Sequence, residues 1–216
     1  MKKFELTSEF IINAFGTKLF RIKALVEFSN VAAGELGGFV EKEDNLSHEG
    51  NCWVSGNARV FGDADVSGDA WVSGDARVSG DAVVSGNARV SGNAVVYGNA
   101  VVSGNAVVCG DAVVCGDAVV CGDARVFGDA VVCGDAVVSG DADYSMVKGF
   151  GSVHRNTTFF RCKDGNIKVV CGCFFGTIPE FREKVINSYG DKKLAKEYLM
   201  IADLMDMHFN KEDKPN

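Results

Sequence analysis

Residues 92–109 read GNAVVY-GNAVVS-GNAVVC, and the same six-residue unit fills the chain from Gly50 to Ser145. Sixteen glycines recur there at a strict spacing of six, and each is followed by Asn or Asp. The unit is G-[ND]-A-x-V-[SCFY], with Cys52 in place of Ala in the first unit and Tyr144 in place of Val in the last. A fixed internal period indicates a repeat architecture and outweighs local propensities.

Each unit has the properties of one short strand and one corner. Side chains alternate along A-x-V-[SC], so Ala and Val face one side while x and Ser or Cys face the other. Gly and Asn/Asp tolerate the positive φ that a tight corner requires. Three units therefore close a triangular coil filled by Ala and Val, and coils stack with parallel strands about 4.8 Å apart.

This spacing resembles the left-handed β-helix family of hexapeptide-repeat proteins, in which an aliphatic residue is followed four positions later by a small one. Three pairs with that spacing are Val54/Ala58, Val60/Ala64 and Val66/Ala70. The resemblance implies a mainly β fold, a left-handed parallel β-helix of about five coils. It also implies a homotrimer, because hexapeptide β-helices are generally trimers.

Both flanks lack the repeat and have the patterns of small capping modules. Two strand-like runs surround Gly16-Thr17, and a hairpin pattern surrounds the turn at 163–166. Because the open end of a solenoid exposes strand edges, we expect each end to be covered. The predicted organisation is an N-terminal β capping segment (1–49), the β-helix (50–145) and a C-terminal hairpin plus two-helix module (146–216).

The two C-terminal helices have predictable boundaries. Thr177-Ile178-Pro179-Glu180 has capping-box spacing, so the first helix is predicted to begin at Thr177 and to end near Gly190. Asp191 is predicted to cap the second helix. The apolar face of that helix is expected to comprise Leu194, Tyr198, Ile201, Met205 and Phe209.

The flanks carry a further resemblance. The runs Gly37–Val40 and Asn45–Val54 are similar to the leading segment of hexapeptide-repeat proteins carried by bacteriophages and prophages. The tail resembles a short β-β-α-α module found at the ends of phage hexapeptide proteins. These resemblances imply a phage- or prophage-encoded protein located in the host cytosol.

The composition excludes several classes of protein. The net charge is −7, and ten of the acids are corner Asp residues, so the acidity argues only weakly about partners. No apolar segment follows Met1-Lys2-Lys3, and no run approaches the roughly 18 apolar residues of a membrane span, so we expect neither a signal peptide nor a membrane protein. The eight cysteines are therefore expected to be reduced, in the cytoplasm.

Sorting the repeat by face predicts an oligomer interface. The outward x position is valine in contiguous stretches on two adjacent faces, and such stripes mark interfaces. The valines concerned are Val83, Val101, Val119 and Val137 on one face and Val95, Val113 and Val131 on the other. Two adjacent valine-bearing faces suit a homotrimer of parallel prisms.

Arginine and aromatic residues cluster in the first three coils. Arg combined with aromatic rings suits a small anion that carries a planar ring, such as a nucleotide, and also a host protein. Packing of the aromatics under the N-terminal cap is an equally good explanation. The candidate ligand-binding residues are Trp53, Arg59, Phe61, Trp71, Arg77, Arg89 and Tyr97.

Three classes of function remain open. The preferred interpretation is a non-enzymatic oligomeric binding protein of phage origin, which acts in counter-defence by sequestering a signalling nucleotide or occupying a host protein. One alternative is an acyltransferase that uses acyl-coenzyme A, with His154 as its weak candidate for a general base because no histidine lies in the repeat. The other is a structural solenoid of a virion or polymer. No metal site, no cofactor and no direct nucleic-acid binding are expected.

Overall fold

The computed structural model describes residues 1–151 and 154–210. Its first strands are β1 (Phe4–Ile12), β2 (Lys18–Ala24) and β3 (Leu36–Val40). The pair β1 and β2 is antiparallel about the turn at Gly16-Thr17, as the sequence predicts, and β3 lies antiparallel at the other edge of β2. A 3-10 turn at Glu43–Asn45 then leads into the repeat.

Fifteen two-residue strands follow, one in each of the first fifteen repeat units. In chain order, β4 to β18 are Trp53–Val54, Arg59–Val60, Asp65–Val66, Trp71–Val72, Arg77–Val78, Val83–Val84, Arg89–Val90, Val95–Val96, Val101–Val102, Val107–Val108, Val113–Val114, Val119–Val120, Arg125–Val126, Val131–Val132 and Val137–Val138.

These strands stack into three parallel sheets, which form the faces of a solenoid. The first face contains β4, β7, β10, β13 and β16; the second contains β5, β8, β11, β14 and β17; the third contains β6, β9, β12, β15 and β18. Each strand pairs in register with the strand one coil away, as Val95 does with Val113. The predicted mainly β, parallel hexapeptide-repeat fold is confirmed.

The solenoid has about six turns rather than about five. The additional turn comes from the N-terminal segment, where Val40 in β3 pairs in parallel with Val60 and Leu46 forms a parallel bridge with Val66. This turn carries no Gly-Asn or Gly-Asp corner, so the six-residue pattern does not reveal it.

Alanine and valine fill the interior as the alternation predicts. Ala100 and Val102, for example, are both fully buried, whereas Val101 between them is only half-buried. The corners require glycine for a second reason besides conformation. Gly98 has φ of 75°, and a Cβ there would lie 3.1 Å from the backbone N and O of Gly116 in the next coil.

The C-terminal module packs an antiparallel sheet against two helices. After a 3-10 turn, its elements are β19 (Tyr144–Phe150), β20 (Arg155–Arg161), β21 (Ile167–Cys171), β22 (Phe174–Thr177), α1 (Ile178–Tyr189) and α2 (Lys193–Phe209). None of the helices in the described part of the chain is long and apolar enough to cross a membrane.

The predicted boundaries of α1 are confirmed, but the predicted cap of α2 is wrong. Thr177 caps α1 and accepts from the Glu180 backbone amide, and Gly190 ends the helix. Lys192, not Asp191, is the N-cap residue of α2. Asp191 precedes the N-cap by one residue, and the Lys192 side chain makes no capping hydrogen bond.

Both ends of the solenoid core are covered. At the N-terminal end, Lys3 Nζ donates to the carbonyl oxygens of Cys52 (2.9 Å) and Gly50 (3.3 Å). At the C-terminal end, Phe160 and Cys162 of the module join the solenoid core, and Cys162 bridges to Ala136. A second core between the sheet and the helices includes Phe159, Val169, Phe181, Val185, Tyr198, Ile201, Met205 and Phe209.

Candidate functional site

The turn between β19 and β20 presents His154 to solvent. The backbone of His154 has φ of 51°, and its side chain is exposed. Its Nδ1 lies 3.0 Å from the Gly149 carbonyl oxygen. A carbonyl can only accept, so Nδ1 of the neutral ring carries the proton and Nε2 keeps its lone pair. A histidine that acts as a general base through Nε2 needs this tautomer.

The sheet brings this turn to the same end as the turn between β21 and β22. Phe150 pairs with Arg155 at the end of β19, and Cys171 pairs with Phe174 at the end of β21. The two turns also contact neighbouring elements closely: a side chain at Gly151 would collide with the Tyr198 hydroxyl. The turn that carries His154 therefore approaches α2 through Gly151.

A cleft of about 440 Å³ opens on this surface between the sheet and the helices, and we call it the C-terminal cleft. Its volume lies in the range of small-molecule sites, and most of its walls are aromatic or aliphatic. The residues that line it are Cys171, Cys173, Phe174, Phe175, Phe181, Lys184, Val185, Ser188, Tyr189 and Tyr198. Lys184 is the cationic side chain among them.

Three side chains at the apolar wall of the C-terminal cleft are connected by two hydrogen bonds. The Thr157 hydroxyl donates to Cys171 Sγ at 3.2 Å, and the Cys171 thiol lies 3.9 Å from the Tyr198 hydroxyl, to which it donates. Burial raises the pKa of Tyr198 above its usual value, and the neighbouring Cys171 adds to the shift. Tyr198 therefore stays protonated and keeps its hydroxyl hydrogen for donation.

The structure divides the arginine–aromatic residues between core and surface. Trp53 is fully buried, with Phe28 edge-on to its ring at 5.4 Å, so the N-terminal cap shields it from any ligand. Trp71 and Arg89 are paired neighbours on the first face. They share a shallow polar depression of about 490 Å³ with side chains that include Asp69.

The other members of the cluster lie on the second face. Arg59 and Arg77 are in register on adjacent strands, and Phe61 is partly exposed two residues beyond Arg59. Tyr97 is 45% exposed and lies one coil further along this face than Arg77. The sequence-predicted cluster therefore forms two surface groups on adjacent faces, separated by a solenoid corner, rather than one pocket.

The outward valines form the two predicted columns. Val95, Val113 and Val131 are in register on the second face, and every one of them is half-buried in the single chain. The third face repeats the arrangement with Val83, Val101, Val119 and Val137. The columns begin after Arg77 on the second face and after Asp65 on the third, and they continue to Val131 and Val137 in the last coil.

A cluster of possible metal ligands lies where the module meets the last coil. Asp135, Cys162 and Asp164 each place one ligand atom within 4.8 Å of the others. Lys168 already occupies this site, because its Nζ lies 2.7 Å from Asp135 Oδ1. Burial raises the pKa of Cys162 to about 12, which keeps its thiol protonated, whereas metal binding requires the thiolate. The cluster is therefore better described as the Lys168–Asp135 ion pair, which joins the C-terminal module to the last coil.

Sequence reasoning treated the walls of the C-terminal cleft as core. Tyr198 is predicted to lie on the apolar face of α2. It does pack in the core between the sheet and the helices, and it also lines the cleft. The sequence feature that points to the cleft is the aromatic pair Phe174-Phe175, which lies directly before a helix cap.

Comparison with known proteins finds similarity within the solenoid. A family model described as "YdcK Beta solenoid repeat" matches residues 70–86, 84–98, 88–104, 96–110 and 118–134. A curated relative named "Uncharacterized acetyltransferase YdcK", from Escherichia coli (strain K12), is 39% identical over 61 residues. That match covers 25% of this chain and 19% of the relative, so the chain spans about a fifth of the relative's length.

These comparisons correct the preferred functional interpretation. The expected non-enzymatic, phage- or prophage-encoded binding protein of counter-defence is wrong, because the matched relative is bacterial and is named as an acetyltransferase. The matched family segments all lie in the solenoid, so they do not extend to the flanks on which the phage resemblance depended. The six-residue glycine repeat, the matched β-solenoid segments and the stacked parallel coils together show that this chain is a hexapeptide-repeat β-helix protein.

Proposed function

We propose that the protein is an acyltransferase that uses acyl-coenzyme A or a similar thioester donor. The observation that carries the proposal is the exposed His154, whose Nδ1 is fixed by the Gly149 carbonyl oxygen at 3.0 Å. The curated relative's name supports the same reaction class through the coils that the two chains share. Hexapeptide-repeat acyltransferases need a histidine base, and His154 is the first histidine after the repeat in the sequence.

The tautomer of His154 determines which ring nitrogen takes up the proton in the proposed acyl transfer. His154 Nε2 removes a proton from the hydroxyl or amine of the acceptor as that atom attacks the thioester carbonyl. The new C–O or C–N bond forms, the C–S bond breaks, and the imidazolium returns the proton to the departing thiolate. Atoms and charge balance without a metal or a redox cofactor.

The C-terminal cleft supplies a place for the apolar part of the donor. Phe174, Phe175 and Val185 provide apolar contacts, and Lys184 provides a cation for an anionic group of the substrate. Tyr198 offers a neutral hydroxyl as a hydrogen-bond donor. The proposal therefore assigns donor binding to the cleft and proton transfer to the adjacent turn.

The test is thiol release from acetyl-coenzyme A in the presence of a panel of amines and alcohols. His154→Asn is the informative variant, because Asn tolerates positive φ and its amide NH₂ can replace the Nδ1–H donor. We expect the rate to fall about 10²- to 10⁴-fold while coenzyme A binding is unchanged. His208→Gln, an exposed histidine on α2, is the matched control and should keep full activity.

Two results would contradict the proposal. One is the absence of coenzyme A binding in calorimetry, since the donor would then have no site. The other is thiol release by His154→Asn at the wild-type rate, which would remove His154 as the base.

We also propose that the protein is a homotrimer of parallel prisms held by the two valine columns. Full burial of an exposed valine contributes about 1.5 kcal/mol, and these valines are already half-buried, so each adds at most about half of that. The seven together give a gross gain of at most about 5 kcal/mol per chain, whereas association costs roughly 4–15 kcal/mol. The columns therefore support the trimer with help from the flanking modules.

A further inference from the structure

Two cysteines on the second face form a stacked pair. Val113 in β14 and Val131 in β17 are in register, so Cys115 and Cys133, two residues later, occupy the same outward position in adjacent coils. The Cys115 amide donates to the Val132 carbonyl oxygen at 3.0 Å, which holds that register through the end of the strand. Both side chains are half-buried in the single chain.

The coil spacing matches the geometry of a disulfide. Adjacent parallel strands lie about 4.8 Å apart, which falls within the 4.4–6.8 Å that separates the Cα atoms of bonded cysteines. The Cα spacing is therefore compatible with a disulfide, and the side chains need only approach each other within the stack.

The remaining repeat cysteines lack such a partner. Cys109 on the first face has Ser91 and Phe127 at the equivalent positions of the adjacent coils. Cys121 on the third face lies between Ser103 and Ser139. The solenoid thus provides two single cysteines at the same repeat position as the pair, with the same half-buried environment.

The neighbours of Cys115 favour its thiolate. A hydrogen bond from the Cys133 thiol lowers the pKa of Cys115 to about 6, against the opposing effect of partial burial, and the Tyr97 hydroxyl of the preceding coil adds a second hydrogen bond. The same interaction raises the pKa of Cys133 above its usual value. Of the two thiols, Cys115 is therefore the one that ionises first.

We propose that Cys115 and Cys133 form a peroxide-reactive dithiol that closes to an intramolecular disulfide. The Cys115 thiolate attacks one oxygen of a hydroperoxide: an S–O bond forms, the O–O bond breaks, and the departing oxygen leaves as water or an alcohol after protonation. Cys133 then attacks the sulfenic sulfur of Cys115, the S–S bond forms, and the hydroxyl leaves with the Cys133 proton as a second water. Two thiols are oxidised, and one peroxide is reduced.

The direct test uses the full chain, reduced, freed of reductant and treated with hydrogen peroxide. Thiols counted after denaturation should fall from eight to six, and peptide mapping should place the disulfide between Cys115 and Cys133. An unchanged count, or a disulfide that maps elsewhere or joins two chains, would overturn the proposal. This measurement uses the wild-type protein, so it does not depend on any variant folding.

Variants then assign the order of the two steps. Cys133→Ser should stop at a Cys115 sulfenic acid that dimedone traps, whereas Cys115→Ser should give neither the trapped acid nor the disulfide. Cys109→Ser and Cys121→Ser are the matched controls and should still lose two thiols. Equal trapping at Cys109 in the Cys133→Ser protein would show that the stack confers no selectivity.

A rate measurement separates a reactive thiol from one that is merely accessible. At pH 6 Cys115 should be about half thiolate, whereas an ordinary cysteine is below about 1%. Its lower intrinsic nucleophilicity offsets part of this advantage, so iodoacetamide should modify Cys115 about tenfold faster than Cys109 or Cys121. Equal rates at the three positions would contradict the proposal.

Discussion

The inward and outward alternation of the repeat can be tested by one substitution made at two adjacent residues. Changing Val to Thr replaces a methyl group with a hydroxyl at nearly constant size. Val102 is fully buried, in register with Val84 and Val120, so the hydroxyl would enter an interior lined by Ala and Val. Burying an unpaired hydroxyl costs about 1–3 kcal/mol in proteins. Val101 faces outward and is half-buried, so Val101→Thr should change stability by less than about 0.5 kcal/mol.

The assay is urea denaturation followed by far-ultraviolet circular dichroism at several protein concentrations. With a urea dependence of about 1–3 kcal/mol per molar, Val102→Thr should lower the midpoint by about 1 M. The concentration series separates an effect on the chain from an effect on assembly, which matters for the outward residue. The slope of the transition should stay constant, because both variants unfold from the same coil stack.

The reasoning fails if Val101→Thr and Val102→Thr destabilise the protein equally, or if the outward change is the more damaging. Either result would mean that the side chains of the repeat do not alternate between core and surface as described. A changed slope in one variant alone would instead indicate that the solenoid unfolds coil by coil there.

Two other expectations concern assembly and pH. Light scattering should report a mass near three times 22.9 kDa, and the double variant Val101→Asp with Val119→Asp should dissociate while keeping its β-type circular dichroism; a wild-type monomer at micromolar concentration would overturn the trimer. The Lys168 hydrogen bond lowers the pKa of Asp135 below its usual 3.8, so this ion pair stabilises the fold above that pH, and the contribution disappears as the pH falls through the lowered pKa. Asp135→Asn should therefore flatten the loss of stability below about pH 4 in acid titrations, and an unchanged acid profile would show that the pair adds nothing.

The repeat determined how much of the fold could be predicted. A glycine every six residues defines the corners, and the alternation within Ala-x-Val defines the interior, so the buried position of Val102 follows from the sequence. The first turn was missed because β3 and Leu46 join the coil through strand pairing, without a corner signature. The repeat places Trp53 in the outward position, but Phe28 of the cap covers it, in agreement with the alternative that the aromatics pack under the N-terminal cap.

The candidate site was less predictable because no repeat connects its parts. His154 could be singled out by its place after the last coil, since the repeat itself contains no histidine. Its tautomer depends on a contact with Gly149 across a turn, which no local pattern encodes. The C-terminal cleft depends on how α1 lies against β22, and Tyr198 is more than twenty positions from Phe174 in the sequence.

Because each unit is one side of a triangle, the solenoid sets the position of the module that carries His154 in discrete steps. Three units return the chain to the same face, so adding or removing 18 residues would shift that module about 4.8 Å along the axis without turning it. A change of six residues would rotate it by one face as well, about a third of a turn around the axis. The number of six-residue units therefore sets both the distance along the axis and the rotation about it between the two ends. Each number of units gives a different spatial relation between the N-terminal cap and the C-terminal cleft.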